Sequence, residues 1–199
     1  MTIDDRSDSE IIASFKAGNH EDFDILIERH SNKLYQVAYG MLSNQQDAEE
    51  VMQDAFVRAF RALDRFRGDA SFSTWIHRIV SNLAKNKYHW NRRRGSQLNI
   101  SLYQPKRGHD DTDEEHELLI PDSSMGPVVM LEGAEMEQEV MAEFNRLPEK
   151  LKQAMLLRHV SEFSYEKIAE VLQCKVGTVK SRISRGREIM RNKFKPAKL

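Results

Sequence analysis

The stretch from Ser96 to about Met130 constrains this chain more than any other feature. It holds Pro105, Gly108, Pro121, Gly126 and Pro127 and shows little apolar periodicity. Between His109 and Asp122 it carries seven acids and no Lys or Arg. Such a composition has too few apolar residues to build a core. A loop this long inside one compact domain is unusual, whereas 199 residues suffice for two small domains. The stretch therefore predicts a tether, and we place the boundaries at residues 1–95, 96–133 and 134–199.

On both sides of the tether, apolar residues recur at helical steps, and nothing reads as a run of alternating strands. Phe23, Leu26, Ile27, Leu34, Val37 and Met41 share one face, which His30 joins as a boundary residue. Ser43-Asn44 breaks that helix. From about Asp47 to Asp64, Val51, Met52, Ala55, Ala59 and Leu63 form a buried stripe opposite Asp47, Glu50, Asp54, Arg58 and Arg61. Phe66–Phe72 reads as a loop in which Gly68 supplies backbone freedom. Ser73 is expected to cap a helix from Thr74 to about Asn91. Beyond the tether, helices are expected at Ala134–Arg146, from Pro148, at Tyr165–Leu172 and from Thr178 to about Lys193. The expected fold class is all-α: two small helical domains joined by a flexible acidic linker.

The net charge of −1 hides a polarised layout. Arg78–Arg94 holds six Lys/Arg and no acid, and Lys175–Lys198 holds nine basic residues and only Glu188 as an acid. Two basic patches flanking an acidic spacer point to nucleic acid, although each could also be a solvated helix face. A single cysteine, Cys174, rules out an intramolecular disulfide and suits a reducing compartment. No apolar run suggests a signal peptide or a membrane span, so a soluble, cytoplasmic protein is expected. The seven histidines are scattered, no Cys/His cluster has metal-ligand spacing, and no phosphate loop or nucleophile motif appears. No catalytic residue, metal or cofactor is expected.

Ser164–Asn192 has the proportions of a helix-turn-helix. Ile168, Ala169 and Leu172 can pack against Val176, Val179 and Ile183 across a short turn. The second helix would then expose Lys180, Ser181, Ser184, Arg185 and Arg187, side chains that reach base edges and phosphates, with Thr178 expected to cap its start. A plain helical hairpin with a wet basic face is the bland alternative. On the helix from Thr74, Arg78, Asn82, Lys85 and His89 share a face. Trp75, Tyr88 and Trp90 lie among these cations, a mixture suited to stacking on unpaired bases. Trp75 could equally be core.

These residues bring a family into view. Asp47-Ala48-Glu49-Glu50-Val51-Met52-Gln53-Asp54-Ala55-Phe56, Phe66-Arg67-Gly68, Phe72-Ser73-Thr74-Trp75-Ile76 and Ser81-Asn82-Leu83-Ala84-Lys85-Asn86 resemble the second conserved region of bacterial sigma-70-type factors, in particular the extracytoplasmic-function (ECF) group and its sigma-E-like members. Leu147-Pro148-Glu149, Phe163-Ser164-Tyr165-Glu166-Lys167-Ile168-Ala169 and Val176-Gly177-Thr178-Val179-Lys180-Ser181-Arg182-Ile183 resemble that family's fourth region. Both lie in the expected order and separation.

The resemblance implies an initiation factor rather than an enzyme. Asp47, Glu50, Gln53 and Asp54 would dock on the clamp helices of core RNA polymerase. Arg67, Gly68, Asp69, Ser71, Phe72, Arg78, Asn82 and Lys85 would capture the −10 promoter element as a flipped, unpaired base. Thr178, Lys180, Ser181, Ser184 and Arg185 would read the −35 element. Ser184 departs from closer relatives, which often carry a bulkier residue there. The linker would thread near the polymerase active site and RNA-exit path. The partners implied are core polymerase, promoter DNA and an anti-sigma factor, often membrane-anchored, within a stress response. The competing reading from the residues alone is a stand-alone helix-turn-helix repressor or activator, binding paired half-sites as a dimer.

Overall fold

A computed structural model of the chain describes residues 5–98 and 129–194. Most of the linker expected at residues 96–133 lies outside them. All regular structure among the described residues is helical.

Helix α1, Asp8–Lys16, opens on a reciprocal cap. The Ser7 hydroxyl accepts from the Glu10 backbone N–H, and the Glu10 carboxylate accepts from that of Ser7. Helix α2, Phe23–Leu42, ends at Ser43 in the left-handed region, with φ 53°. Asn44 then caps α3, Gln45–Ala62, accepting from the Asp47 N–H at 2.9 Å, so the break falls where Ser43-Asn44 predicts it. A short 3-10 turn, Leu63–Arg65, leads into the loop.

Helix α4 spans Phe72–Leu98. Its cap is Ser71, not Ser73: the Ser71 hydroxyl accepts from the Thr74 N–H at 3.1 Å. The earlier start follows from Phe72, whose ring is only 3% exposed and draws the first turn onto the core. The helix also continues past Asn91, since Arg and Gln are good helix formers and need no buried face to extend one.

In the second half, α5 is Val129–Arg146 and α6 is Glu149–His159, with Pro148 as its N-cap. Helix α7, Tyr165–Leu172, is capped by Ser164 and ends at Gln173 with φ 52°. Helix α8, Val176–Lys193, begins two residues before Thr178. Thr178 therefore lies within the first turn and is not its cap. Lys175 occupies the cap position without a side-chain bond.

The expected stripes are buried. Leu26, Leu34, Ala38 and Met41 of α2 meet Val51, Ala55 and Ala59 of α3 and Ile76, Val80 and Ala84 of α4. Ile168, Ala169, Val179 and Ile183 form the helix-turn-helix core. The two halves share these cores. Val37 of α2 belongs to the second cluster, while Leu156 of α6 belongs to the first.

Helix α6 is covered on nearly every side: Lys152, Gln153, Ala154, Met155, Leu156 and Leu157 are all buried. A helix with no polar face lies between packing partners, here α2 and α8. Gly40 of α2 makes this approach possible. A Cβ there would lie 2.5 Å from a Leu156 methyl, and its three nearest atoms all belong to Leu156.

Candidate nucleic-acid interface

The loop between α3 and α4 stands on an aromatic floor. Phe66, Phe72 and Trp75 contact one another at ring separations of 5.0–6.3 Å, and His30 reaches Phe72 from α2. Above the floor, Arg67 and Asp69 form an exposed ion pair at 3.0 Å. Gly68 between them has φ 80°, a conformation that a side chain would strain. Ser71 is exposed but occupied as a cap. Phe72 is buried, so its ring anchors the loop instead of facing a ligand. Trp75, half-buried against the same floor, is partly core as its alternative reading foresaw.

Along α4, Asn82 and Lys85 are exposed. Arg78 is half-buried, and its guanidinium donates to the Glu170 carbonyl of α7 at 2.9 Å. Four residues on from Lys85, His89 bonds Glu149 of α6 at 2.8 Å. Trp90 remains 44% exposed, with Arg94 and Lys87 against its ring at 4.3 and 5.2 Å.

The polar stripe of α3 divides between two faces. Asp47 turns to α4, where it accepts from Asn91 at 2.7 Å and pairs with Lys87 at 3.2 Å. Glu50 meets the same Lys87 ammonium at 2.6 Å, and these carboxylates, Glu50 foremost, hold the Lys87 pKa above its ordinary value. Asp54 takes two bonds from Arg58, each 2.9 Å, one turn on. Gln53 lies elsewhere, on an open groove between α2 and α3 with Tyr35, Met52, Phe56 and Val57. Lys87, Asn91 and the groove's aromatic wall escaped the sequence reading. For the groove, Val57, an apolar residue off the buried stripe of α3, was the available signal.

On α8, Lys180, Ser184 and Arg185 are exposed, and Ser181 is half-buried with its hydroxyl donating to the Thr178 carbonyl at 3.1 Å. Arg182 points the other way, its guanidinium 3.8 Å from Cys174 Sγ in the turn. Among the described residues no helix is long and apolar enough to cross a membrane, and no group of three or more His, Cys, Asp or Glu could hold a metal ion.

These two surfaces correspond to known families. Residues 26–94 match Sigma-70 region 2, and residues 137–190 match Sigma-70, region 4. The chain is 34% identical over 190 residues to the ECF RNA polymerase sigma-E factor of Haemophilus influenzae, covering 96% of each. It is 33% identical to the Escherichia coli K12 protein of that name, covering 96% of this chain and 95% of the relative. Identity to RNA polymerase sigma-H factor of Pseudomonas aeruginosa is also 33%, covering 95% and 94%. Among solved structures, CnrH in complex with the cytosolic domain of CnrY aligns with TM-score 0.65 at 24% identity, covering 93% of this chain and 95% of that one. Sigma factor RpoE in complex with the anti-sigma factor NepR, from Bartonella quintana, aligns with TM-score 0.61 at 25% identity, covering 89% and 99%.

Proposed function

Since this chain belongs to the ECF group of sigma-70 factors, we propose that it directs core RNA polymerase to a specific, stress-responsive set of promoters and catalyses no bond-making step itself. Residues 1–95 form the polymerase- and −10-binding part, 96–133 the linker and 134–199 the −35-binding part. The family spans 26–94 and 137–190 fall inside this division.

Each surface has its task. Asp47, Glu50, Gln53 and Asp54 dock on core polymerase, and the groove beside Gln53 widens that contact with apolar area. The Arg67–Asp69 loop and Ser71, with Phe72 holding them from below, form the mouth that receives an unpaired −10 base. Asn82 bonds that base, while Arg78 and Lys85 hold the strand. Lys180, Ser181, Ser184 and Arg185 read the −35 duplex, with Thr178 at the helix entry. The protein works in the cytoplasm, where an anti-sigma factor restrains it and can hold it near the inner membrane.

The observation that supports this reading is two separate surfaces on one chain whose chemistry suits nucleic acid. One is a helix face beside an aromatic-floored loop, and the other is the exposed basic face of α8. A stand-alone regulator needs only the second.

Run-off transcription tests the proposal. Purified protein is mixed with sigma-free core polymerase and a library of promoter fragments. Discrete transcripts that require both proteins are expected. Tight duplex binding by the protein alone, with no transcript, would replace this reading with the stand-alone regulator.

A further inference from the structure

Helix α1 lies before the span that matches Sigma-70 region 2, yet its two ends reach the two ends of the Phe66–Phe72 loop. At its last residue, the Lys16 ammonium donates to the Phe66 carbonyl at 2.5 Å. At its first residue, the Asp8 carboxylate bonds His30 Nε2 at 2.9 Å and the Arg29 guanidinium at 2.6 Å. The His30 ring in turn lies 5.3 Å from that of Phe72. These bonds, that from His30 foremost, outweigh burial and hold the Asp8 pKa below its ordinary value.

We propose that α1 is the brace of the −10 mouth: Lys16, and Asp8 acting through His30, are positioning residues that fix the two ends of this loop before an unpaired base arrives. The proposal deepens the function argued above and rests on it.

Two features of the loop call for a brace. Its tip holds itself weakly. Arg67 and Asp69 have side chains 82% and 74% exposed, and an ion pair so exposed contributes little. Gly68 between them, at φ 80°, keeps the backbone freedom of a residue without Cβ. Capture also has a cost. An extruded base loses stacking energy that the mouth must return, and a mouth shaped only on binding would lose part of that return to its own ordering. Helix α1 is suited to the task because it is anchored independently of the loop. Ile11, Ile12 and Phe15 fix it in the core, and two Arg6–Asp22 bonds, each 2.9 Å, hold its entry. A rigid helix of nine residues sets the two grips about 12 Å apart.

Paired variants separate bracing from general support. Lys16→Met and Asp8→Ala each remove one grip, whereas Lys16→Arg and Asp8→Asn keep a group that can make the same bond. Neither residue belongs to the surfaces assigned to DNA or polymerase. Each protein is assembled with core polymerase and titrated with the single-stranded −10 segment of a promoter selected by run-off transcription. The strand is used intact, or with an abasic site at one position at a time.

Wild-type holoenzyme is expected to bind the intact strand about tenfold more tightly than the strand abasic at the captured position. Lys16→Met and Asp8→Ala should compress that ratio to about threefold, at this position alone. Lys16→Arg and Asp8→Asn should restore it. A wild-type ratio in either Lys16→Met or Asp8→Ala, including one reached by equal weakening on both strands, would overturn the brace. So would a ratio that the conservative variants leave compressed. If Asp8→Ala loses its helical circular dichroism, His30→Gln serves in its place, since it removes the ring at Phe72. A wild type indifferent to an abasic site at every position would instead overturn capture of an unpaired base, the reading on which the brace rests.

Discussion

His77 and Ser161, eighty-four residues apart in sequence, meet at 3.0 Å inside the protein. The Nδ1 of the same ring lies 2.7 Å from the Ser73 carbonyl and donates to it, and one face lies against the Phe163 ring at 4.5 Å. Neutral imidazole, donating at Nδ1, leaves Nε2 as the acceptor for the serine hydroxyl. A helix near its start and a loop near the end of the chain are thus joined through one uncharged side chain.

Acid should loosen this junction. Burial, foremost, pushes the His77 pKa down to about 4, with smaller contributions from the positive charge of His30, Lys167 and Lys33. The unfolded chain takes up the proton near pH 6.5, while the folded ring stays neutral to about pH 4. Its contribution is therefore intact above pH 6.5 and lost progressively as pH falls toward 4, up to about 3 kcal/mol in all. Urea unfolding of wild type and His77→Gln at pH 7.5 and pH 5 checks this. Wild type should lose about 2 kcal/mol more over that interval than the variant. Equal losses would remove His77 from the acid response.

The α3 stripe should separate into scaffold and docking residues. Asp47 and Lys87 have side chains 20% and 16% exposed, whereas Glu50 is 64% exposed. Lys87→Met should cost about 2 kcal/mol in chemical unfolding, because it strands a charge-assisted bond. Glu50→Gln should cost about 0–1 kcal/mol. Gln53→Ala should leave unfolding unchanged and weaken binding to core polymerase in a pull-down titration. A stability loss for Gln53→Ala matching that of Lys87→Met would make the whole stripe structural.

How much of this was legible in the sequence depended on contact range. The stripes of α2 and α3, the break at Ser43-Asn44 and the helix-turn-helix packing of Ile168 on Val179 follow from spacing along one or two helices. Ser71 was missed as a cap because Ser73 offers the same hydroxyl two residues on, and only the burial of Phe72 decides between them. Thr178 was misplaced for a similar reason, since α8 starts on apolar Val176 with no capping side chain to announce it. Asp47 read as solvated surface because its partners, Lys87 and Asn91, are forty or more residues away. Helix α6 has no amphipathic signature to read, because neighbours on both sides bury it.

Asn82 should matter to opening more than to landing. It is exposed beside the aromatic-floored loop, where it can bond a base only after that base has left the stack. Asn82→Ala should reduce open complexes about tenfold, the loss of a hydrogen bond of roughly 1–1.5 kcal/mol. Gel-shift affinity for closed promoter should hold. Permanganate reactivity of promoter thymines measures opening, and equal reactivity in both proteins would refute the role.

Recognition of the upstream element should divide along α8 by side-chain direction. Lys180 and Arg185 are exposed, while Arg182 turns toward Cys174. Lys180→Ala or Arg185→Ala should weaken upstream binding by ~1–3 kcal/mol if the lost contact is to a base, and discrimination at that base pair should relax. If the contact is to phosphate, binding should weaken across all sequences and the salt dependence should flatten by about one ion. Arg182→Ala is the control, with upstream sequence preference expected to stay that of wild type. Transcription from a library varied only in the −35 region, read at two salt concentrations, separates the three outcomes. Unchanged preference in both Lys180→Ala and Arg185→Ala would move sequence reading away from this face of α8.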